Sequence, residues 1–454
     1  MNNTTTILGE LEHFINQNGL NTNQLAKRSG LNPGTMSSIL NSRKVIAIDQ
    51  LDRITTTMNL PEGHFYERYI EEYLNELAPN WRRIRPFLYR CAELDKQHCI
   101  KQTVDLLMDN PLVYSPLLLE VAEGLFEQGK RMSAAILYES IALSEKSQHS
   151  ERLALCQYRL FSIRLGEDQS KNLQAAIRFE PFIERLDEID QLDALKNLAD
   201  TYRSLRSWDK VYSLSQKLKH LAKIQYSLSS PGKRTDDPVK KLPRPIFFYV
   251  VFGNMLMGST HYEQGNYECA LEIANEVADL DWVTETDKET LYWKNLFQEW
   301  VQANICLTKL MAGHTEVLSE YVQYFEVKEN EILTGLWNIM IAANRYNIDV
   351  DHILARFESV LSTVLEHEEN EIYNQQNTDD QLIGLLCELA DYYLFRENYK
   401  QGFITLIDGL KKSVMINNES SILRCMRLFE HYRNAASDEA IVEYHHLVEM
   451  GRRP

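Results

Sequence analysis

Two segments of this sequence could suggest a metal or catalytic site by their histidines, but neither has the spacing of such a motif. His445 and His446 are adjacent, and neighbouring residues on a helix point about 100 degrees apart, so their rings do not share one face. Residues 365–370 contain one histidine among glutamates and lack the second histidine, four residues on, of a zinc-peptidase helix. No glycine-rich phosphate loop, dinucleotide-binding glycine pattern or nucleophile elbow occurs. We therefore expect no enzyme activity, no metal and no cofactor.

Phosphate recognition is the chemistry that one short segment favours. Arg43 and Lys44 are adjacent cations within the first sixty residues. Such side chains bind the phosphates of DNA and position a protein without reading the base sequence. Residues 1–60 contain five basic and four acidic residues, a net charge of +1, whereas the whole chain carries −17. This asymmetry predicts DNA contact through one end of the chain only.

Four short helices are predicted to position these groups. Apolar residues recur at helical spacing over residues 7–15 and again over 48–58, which predicts the first and the fourth helix. Between them, Asn21 is expected to cap a second helix, and Gly30 to allow the sharp turn that follows it. Asn32 is expected to cap the third helix, with a proline in its first turn. Two short helices around a glycine-containing turn predict a helix-turn-helix.

Residues 24–41, QLAKRSGLNPGTMSSILN, resemble the helix-turn-helix of the lambda-repressor and Cro-like (XRE) family. The resemblance covers residues 7–60 and implies that the third helix enters the major groove of double-stranded DNA. The DNA-contacting residues that it implies, together with the phosphate-binding side chains, are Thr22, Asn32, Pro33, Gly34, Ser37, Ser38, Asn41, Arg43 and Lys44. The usual base-reading positions hold no Arg or Gln, which implies weak or partly indirect base discrimination. The alternative is a helix-turn-helix that contacts a protein.

Composition places the chain among helical proteins without a membrane span. Its 454 residues are 44% hydrophobic and 25% charged, with only 18 Gly and 12 Pro, the residues that interrupt helices. Seven cysteines form no C-x-x-C pair and mostly occupy apolar positions, which indicates small buried side chains in a reducing compartment. The most apolar run, Ile246–Met257, is too short to cross a membrane, and residues 1–6 do not resemble a signal sequence. We expect an all-α, cytoplasmic protein.

One motif recurs in the long amphipathic segments that follow residue 76. It is clearest at residues 258–271, GSTHYEQGNYECAL, which follow the tetratricopeptide pattern, and looser copies contain Ala122, Ala199 and Ala390. At about 34–40 residues per repeat, roughly nine or ten helix pairs fit between residues 80 and 454. We predict a DNA-binding domain over residues 1–75 and, over residues 76–454, a right-handed superhelical solenoid of tetratricopeptide-like helical hairpins.

A segment rich in proline and charged residues interrupts these repeats. It spans Ser227–Pro245 and is not expected to be helical throughout, so it predicts a long loop. The loop is either a tolerated insertion or a hinge between two halves of the superhelix.

The first helix of each pair in such a superhelix lines the concave surface. Counting back from each turn predicts residues that face this groove: Lys196, Asp200, Arg203, Met255, Ser259, Tyr262 and Asp391. Polar and ionic side chains there suit the backbone and the termini of a short extended peptide. The alternative for each position is an ordinary solvated helix surface.

The whole organisation, a repressor-like head followed by tetratricopeptide-like repeats, resembles the peptide-pheromone receptors of Gram-positive bacteria and their phages, the RRNPP group. The resemblance implies a quorum-sensing transcription regulator that binds a signalling oligopeptide in the repeat groove. It also implies a homodimer in which peptide changes the spacing of the two DNA-binding heads. Members of the group hold the peptide backbone with asparagines on the inner face, which implies Asn254 as a contact and Asn197 and Asn304 as candidates by residue type.

Two other functions compete with peptide sensing. In the first, the chain is a DNA-tethered scaffold whose repeats bind a partner protein. In the second, it resembles the Rap-like branch, whose repeats regulate a phosphotransfer protein. Members of that branch have a helical bundle in place of the DNA reader, so residues 7–60 argue against the second function.

Overall fold

The 454-residue chain is described by a computed structural model that covers residues 6–75, 80–146, 150–166, 168–228, 242–328, 331–359, 375–415 and 418–450. Across these ranges the regular secondary structure is helical and no strand occurs, which confirms the predicted all-α class. The chain divides into two compact units, Met1–Arg244 and Pro245–Pro454. In the part of the chain that is described, no helix has both the length and the apolar character needed to cross a bilayer.

Helices occupy most of the first unit. They are α1 (Ile7–Gln17), α2 (Thr22–Arg28), α3 (Pro33–Leu40), α4 (Ile48–Thr57), α5 (Tyr66–Tyr69), α6 (Trp81–Glu93), α7 (Gln97–Leu107), α8 (Pro111–Glu127), α9 (Arg131–Ser144), α10 (Glu151–Arg164), α11 (Gln169–Phe179), α12 (Glu188–Ser204) and α13 (Trp208–Leu228). A π-helical turn, Ile70–Leu74, continues α5, and a 3-10 helix, Glu180–Arg185, follows α11.

The second unit continues the same pattern of consecutive helices. They are α14 (Ile246–Glu263), α15 (Tyr267–Ala278), α16 (Lys288–Met311), α17 (Leu318–Glu326), α18 (Ile332–Tyr346), α19 (Asp351–Arg356), α20 (Gln375–Phe395), α21 (Tyr399–Met415), α22 (Glu419–Tyr432) and α23 (Asp438–Met450). Short 3-10 helices precede α17 and α23. The most extensive packing joins sequence neighbours: α8 with α9 and α12 with α13 in the first unit, and α14 with α15 and α20 with α21 in the second.

Helices α2 and α3 begin where their capping residues predict. The Asn21 side chain accepts a hydrogen bond from the backbone N–H of Gln24, whose side chain accepts one from the N–H of Asn21. These reciprocal bonds satisfy two N–H groups that α2 leaves unpaired. Asn32 caps α3 with a single bond, accepting from the N–H of Gly34 at 2.8 Å, and Pro33 occupies the first turn, where a missing N–H costs nothing.

One backbone turn ends helices in both units. A residue with positive φ follows the helix, and the N–H of the next residue bonds the carbonyl five residues earlier. All four copies of the predicted repeat motif end their first helix this way, with positive φ at Gly129, Arg206, Gly265 and Glu397 and hydrogen bonds of 2.8–2.9 Å. The recurring motif therefore encodes a recurring chain reversal, although only two of the four copies place glycine there.

The small residue of each motif copy allows its helix to approach a neighbour. Ala122, Ala199 and Ala390 are fully buried. A Cβ atom added to Gly258 would lie 3.3 Å from Cγ2 of Ile273 on α15, which is tighter than ordinary van der Waals contact. This close packing agrees with the part that small residues play in the predicted pattern.

The predicted loop at Ser227–Pro245 lies partly outside the described residues. Helix α13 extends through Leu228, so Ser227 and Leu228 are helical, in contrast to the predicted start of the loop. Residues 242–245 are not helical, and α14 begins directly after Pro245. Residues 229–241 are not described.

Burial of the cysteines follows the prediction with one exception. Cys91, Cys99, Cys156, Cys306, Cys387 and Cys425 are buried as free thiols, whereas Cys269 is exposed. Cys269 lies on the outer side of α15, where the apolar pattern of the motif did not distinguish it from buried positions.

The left-handed turn after α14 gives a test of this backbone. We expect Gly265→Ala to lower the free energy of unfolding by about 1 kcal/mol, because φ is +77° there and an L residue pays for a left-handed backbone. No atom lies within 4 Å of the added Cβ, so the loss comes from the backbone alone. Gly166→Ala is the matched control, since its Cβ also meets open space and its φ lies outside the left-handed range. Equal losses in urea unfolding of both variants would contradict this explanation.

Candidate nucleic-acid interface and ligand surfaces

The inner side of α2 and α3 is apolar and closed to solvent. Leu25 and Ala26 of α2, and Met36 and Ile39 of α3, are each 0% exposed. Arg53 of α4 donates a hydrogen bond from Nη1 to the carbonyl of Gly30, 3.3 Å away, in the turn between the two helices. The buried side chains and the contact from α4 therefore hold the two helices on their inner side, and the outer side of each helix faces solvent.

The predicted DNA-contacting residues lie on the protein surface. Thr22 and Ser38 are half-buried, and the exposed residues are Asn32, Pro33, Gly34, Ser37, Asn41, Arg43 and Lys44. Several polar groups are already used within α3. The Ser38 hydroxyl donates to the Gly34 carbonyl at 2.8 Å, and the Asn41 amide donates to the Ser37 carbonyl at 2.7 Å. The Ser37 hydroxyl also accepts a hydrogen bond from the Asn41 amide, at 3.3 Å. The polar side chains of α3 are therefore partly engaged within the helix itself.

Arg43 and Lys44 follow α3 in a fixed backbone turn. Ser42 has a φ of +56°, and the N–H groups of Arg43 and Lys44 both bond the carbonyl of Ser38, at 2.9 and 3.2 Å. Both side chains are exposed, and among the described residues neither has an ion-pair partner. Two cations held in this way can bind phosphates without first breaking an internal ion pair.

Asp52 of α4 joins this segment to α6. Its carboxylate accepts a hydrogen bond from the Tyr66 hydroxyl at 2.7 Å and another from Nε of Arg90 at 2.7 Å. Burial, followed by the hydrogen bond to Asp52, raises the pKa of Tyr66, so the phenol stays protonated and donates. Arg90 lies 38 residues from Asp52 and no local motif relates them, so this group was not predicted.

Aromatic packing crosses the predicted domain boundary between residues 75 and 76. The rings of Tyr66 and Tyr69 lie 5.2 and 5.4 Å from that of Phe87 on α6, centroid to centroid. One hydrophobic cluster includes residues from Ile7 to Leu160. The boundary stays a prediction, but the segments on its two sides share a core.

In the first unit, the predicted ligand residues form an ionic row on α12. Asp200 contacts Nζ of Lys196 at 2.9 Å and a guanidinium nitrogen of Arg203 at 3.1 Å. Lys196 and Asp200 are half-buried and Arg203 is exposed. The row presents charges of both signs along one side of a helix.

Asn197 lies beside this row and is hydrogen-bonded inside the protein. Its amide donates to the Tyr158 hydroxyl at 2.7 Å and to a carboxylate oxygen of Asp193 at 3.2 Å. The Tyr158 hydroxyl in turn donates to the same oxygen of Asp193 at 2.6 Å. A ligand that binds Asn197 must therefore compete with this internal network.

In the second unit, the predicted residues on α14 differ in exposure. Asn254 is buried, with 9% of its surface exposed, and in the described part of the chain its Oδ1 has no hydrogen-bond partner. Met255, Ser259 and Tyr262 are half-buried, and the Ser259 hydroxyl donates to the Met255 carbonyl at 2.9 Å. Asn304, on α16, is exposed.

Asp391 of α20 lies beside a polar group that the sequence analysis missed. The carboxylate of the buried Glu388 accepts a hydrogen bond from the Asn344 amide at 2.8 Å. It also forms an ion pair with Arg424 at 2.6 Å. Burial, followed by the charge of Glu388, raises the pKa of Asp391. Helix α14 packs mainly on α15, whereas α20 packs on α18 and α21. The two helices still meet one hydrophobic cluster, which contains Tyr392 of α20 and against which Tyr262 of α14 packs.

Compared with known proteins, the sequence matches no family model and no curated protein sequence.

The cation pair after α3 gives a direct test of DNA contact. We expect Arg43→Ala combined with Lys44→Ala to weaken binding to all DNA sequences alike. The slope of log affinity against log salt should fall by about 2, since each phosphate contact contributes roughly 0.9. Affinity measured by fluorescence anisotropy over a range of salt concentrations gives this slope.

The matched control is Lys411→Ala combined with Lys412→Ala, an adjacent cation pair on α21. This variant loses the same formal charge and should keep the original slope. An unchanged slope for the Arg43 and Lys44 variant would remove both residues from the interface.

The raised pKa of Asp391 gives a pH-dependent prediction. Ionised Asp391 destabilises the folded state, so the native protein gains stability as pH falls through the raised pKa. We expect Asp391→Asn to increase the free energy of unfolding at neutral pH. The gain should vanish below a pH of about 4, where the carboxyl is protonated in both states. Urea unfolding at the two pH values measures it, and Asp281→Asn, at an exposed position, is the control. A gain that persists in acid would contradict the assignment to ionisation.

Proposed function

We propose that this chain is a cytoplasmic DNA-binding regulator rather than an enzyme. In this proposal α2 and α3 form a helix-turn-helix, α3 enters the major groove, and Arg43 and Lys44 bind phosphates at its end. The observation that carries the proposal is the exposed cation pair, which is held by a fixed turn after a helix whose other side is buried. The short serine side chains of α3 let its backbone approach base edges closely.

The particular regulator that we infer responds to a short peptide bound by the repeat helices. The ionic row of Lys196, Asp200 and Arg203 supports this inference, because charges of both signs suit the termini and the backbone of a peptide. Asp391, in the second unit, is a separate candidate contact, because its unfavourable ionisation would be relieved by a cation. These features also fit the resemblance to quorum-sensing peptide receptors.

A homodimer completes the proposed mechanism. With few base-reading groups on α3, one copy gains little specificity, whereas two copies can read half-sites separated by about 34 Å. For peptide to switch DNA binding, it must bind one arrangement of the dimer more tightly than another, since equal affinity shifts nothing. A difference of about 1–3 kcal/mol is typical of such coupling.

A groove in the second unit favours the alternative function, a DNA-tethered scaffold for a partner protein. It has a volume of about 430 Å³ between α21 and the segment that ends in α23. Phe403, Ile404 and Ile407 provide apolar surface, and Asp408, Glu439 and Glu443 provide acidic groups. This combination suits a basic amphipathic helix of a partner protein.

The two functions are separated by calorimetry and small-angle scattering on the full chain. The ligands are synthetic peptides from short reading frames that neighbour the gene and encode secreted precursors. We expect one peptide to bind and to change both the scattering profile and the affinity for operator DNA. Asp200→Asn should weaken peptide binding, because it breaks the ionic row, whereas Asp209→Asn, at an exposed position on α13, should not.

Tight peptide binding with no change in scattering or operator affinity would contradict the switch. If every peptide fails and a host protein binds instead, in a manner that Ile404→Glu abolishes, the scaffold function replaces peptide sensing.

A further inference from the structure

Three side chains with metal-binding atoms meet where α5 approaches the start of α7. Nε2 of His98 lies 2.6 Å from Oε1 of Glu67 and 3.3 Å from Sγ of Cys99. All three potential ligand atoms lie within 4.8 Å of one another. Glu67 comes from α5, whereas His98 and Cys99 are adjacent in the first turn of α7.

These distances are close to those of a tetrahedral zinc site. Zn²⁺ binds thiolate sulfur at about 2.3 Å and imidazole nitrogen or carboxylate oxygen at about 2.0–2.2 Å. At a tetrahedral angle, such ligand atoms lie about 3.3–3.6 Å apart. The contact between His98 and Cys99 already has this length, and the hydrogen bond between His98 and Glu67 must open by less than about 1 Å. Both of these side chains are more than half exposed, at 51% for His98 and 61% for Glu67, so they can adjust.

Adjacent residues on a helix usually point in different directions, which makes a shared metal uncommon. Here the difference in side-chain length resolves the conflict. Cys99 has a short side chain directed into the core, whereas the longer imidazole of His98 reaches back over the sulfur from the surface. The sulfur therefore forms the floor of the cluster, and the imidazole and the carboxylate close it from outside.

A second thiol orients the buried ligand. Cys91 of α6 forms a hydrogen bond with Cys99, and both side chains are fully buried. Metal ligands are commonly held by such a neighbouring hydrogen bond, which fixes their direction before the ion arrives. Thiolate, imidazole and carboxylate together favour Zn²⁺ over Mg²⁺ or Ca²⁺, which prefer oxygen ligands only.

We propose that Glu67, His98 and Cys99 bind one Zn²⁺ ion, with water as its fourth ligand. The ion joins α5 to α7 and so fixes the segment that contains the candidate DNA-binding helices against the first helices of the repeat region. This site does not depend on the proposed function, because its ligands and its test involve neither DNA nor peptide.

The test is Zn²⁺ binding to the reduced, untagged full chain, measured by competition with a chromophoric chelator. We expect one equivalent to bind and His98→Gln or Glu67→Gln to lower the affinity by at least about tenfold. Cobalt substitution identifies the sulfur ligand: Co²⁺ should give a thiolate charge-transfer band and intense tetrahedral bands, and Cys99→Ser should remove the former. His98 and Glu67 are exposed, so their substitutions test the site even if Cys99→Ser impairs folding.

Matched controls are His445→Gln, Glu71→Gln and Cys269→Ser, which change the same residue types at exposed positions outside the cluster. They should bind zinc as the unmodified chain does. The proposal is overturned if the reduced protein binds no zinc, if the three cluster variants bind it as tightly as the controls, or if bound cobalt shows no thiolate band.

Discussion

A chain reversal built on a single left-handed residue underlies both units of this protein. Consecutive helices can pack along each other only if the backbone turns within a few residues, and the positive φ with its returning hydrogen bond achieves this. An L residue pays about 1–2 kcal/mol for that conformation. Arg206 and Glu397 nevertheless adopt it, because the helices on either side bury Tyr202 and Leu394 and so hold the turn. Packing of neighbouring helices, rather than glycine alone, therefore maintains the repeat.

The candidate DNA-binding surface separates two tasks that often share the same residues. In the proposed interface, the cations after α3 would supply contacts that any phosphate backbone can satisfy. The outer side of α3 would offer few groups for reading bases, since the hydroxyls of Ser37 and Ser38 both bond within the helix. A protein built in this way obtains affinity from charge, and it must obtain selectivity from the geometry of its site. Groove width, DNA flexibility and the separation of half-sites are the properties that such a protein can distinguish.

Local features of the sequence were predictable and distant ones were not. The caps at Asn21 and Asn32 follow from residues within three positions, and the repeat motif follows from aromatic and small residues at fixed spacing. The group formed by Asp52, Tyr66 and Arg90 joins three helices, as does the group formed by Asn344, Glu388 and Arg424. No local pattern marks their members. The sequence was also a poor guide to which side of α14 is exposed. Asn254 is next to Met255 in sequence, yet it is buried by the packing of α14. No local pattern marked Arg206 and Glu397 as the left-handed residues of their motif copies either.

One core is shared by the segments before and after residue 76, and this limits how such a protein can change over generations. Exchange of domains by recombination would require a DNA-binding domain that can be joined to a different C-terminal domain. A recombination event at residue 76 would separate Asp52 from Arg90, and it would expose the faces of Tyr66 and Tyr69 that pack on Phe87. A new C-terminal domain would have to supply an aromatic ring in the place of Phe87 and a guanidinium in the place of Arg90. Descent would therefore tend to keep the segments on the two sides of residue 76 together as one inherited block.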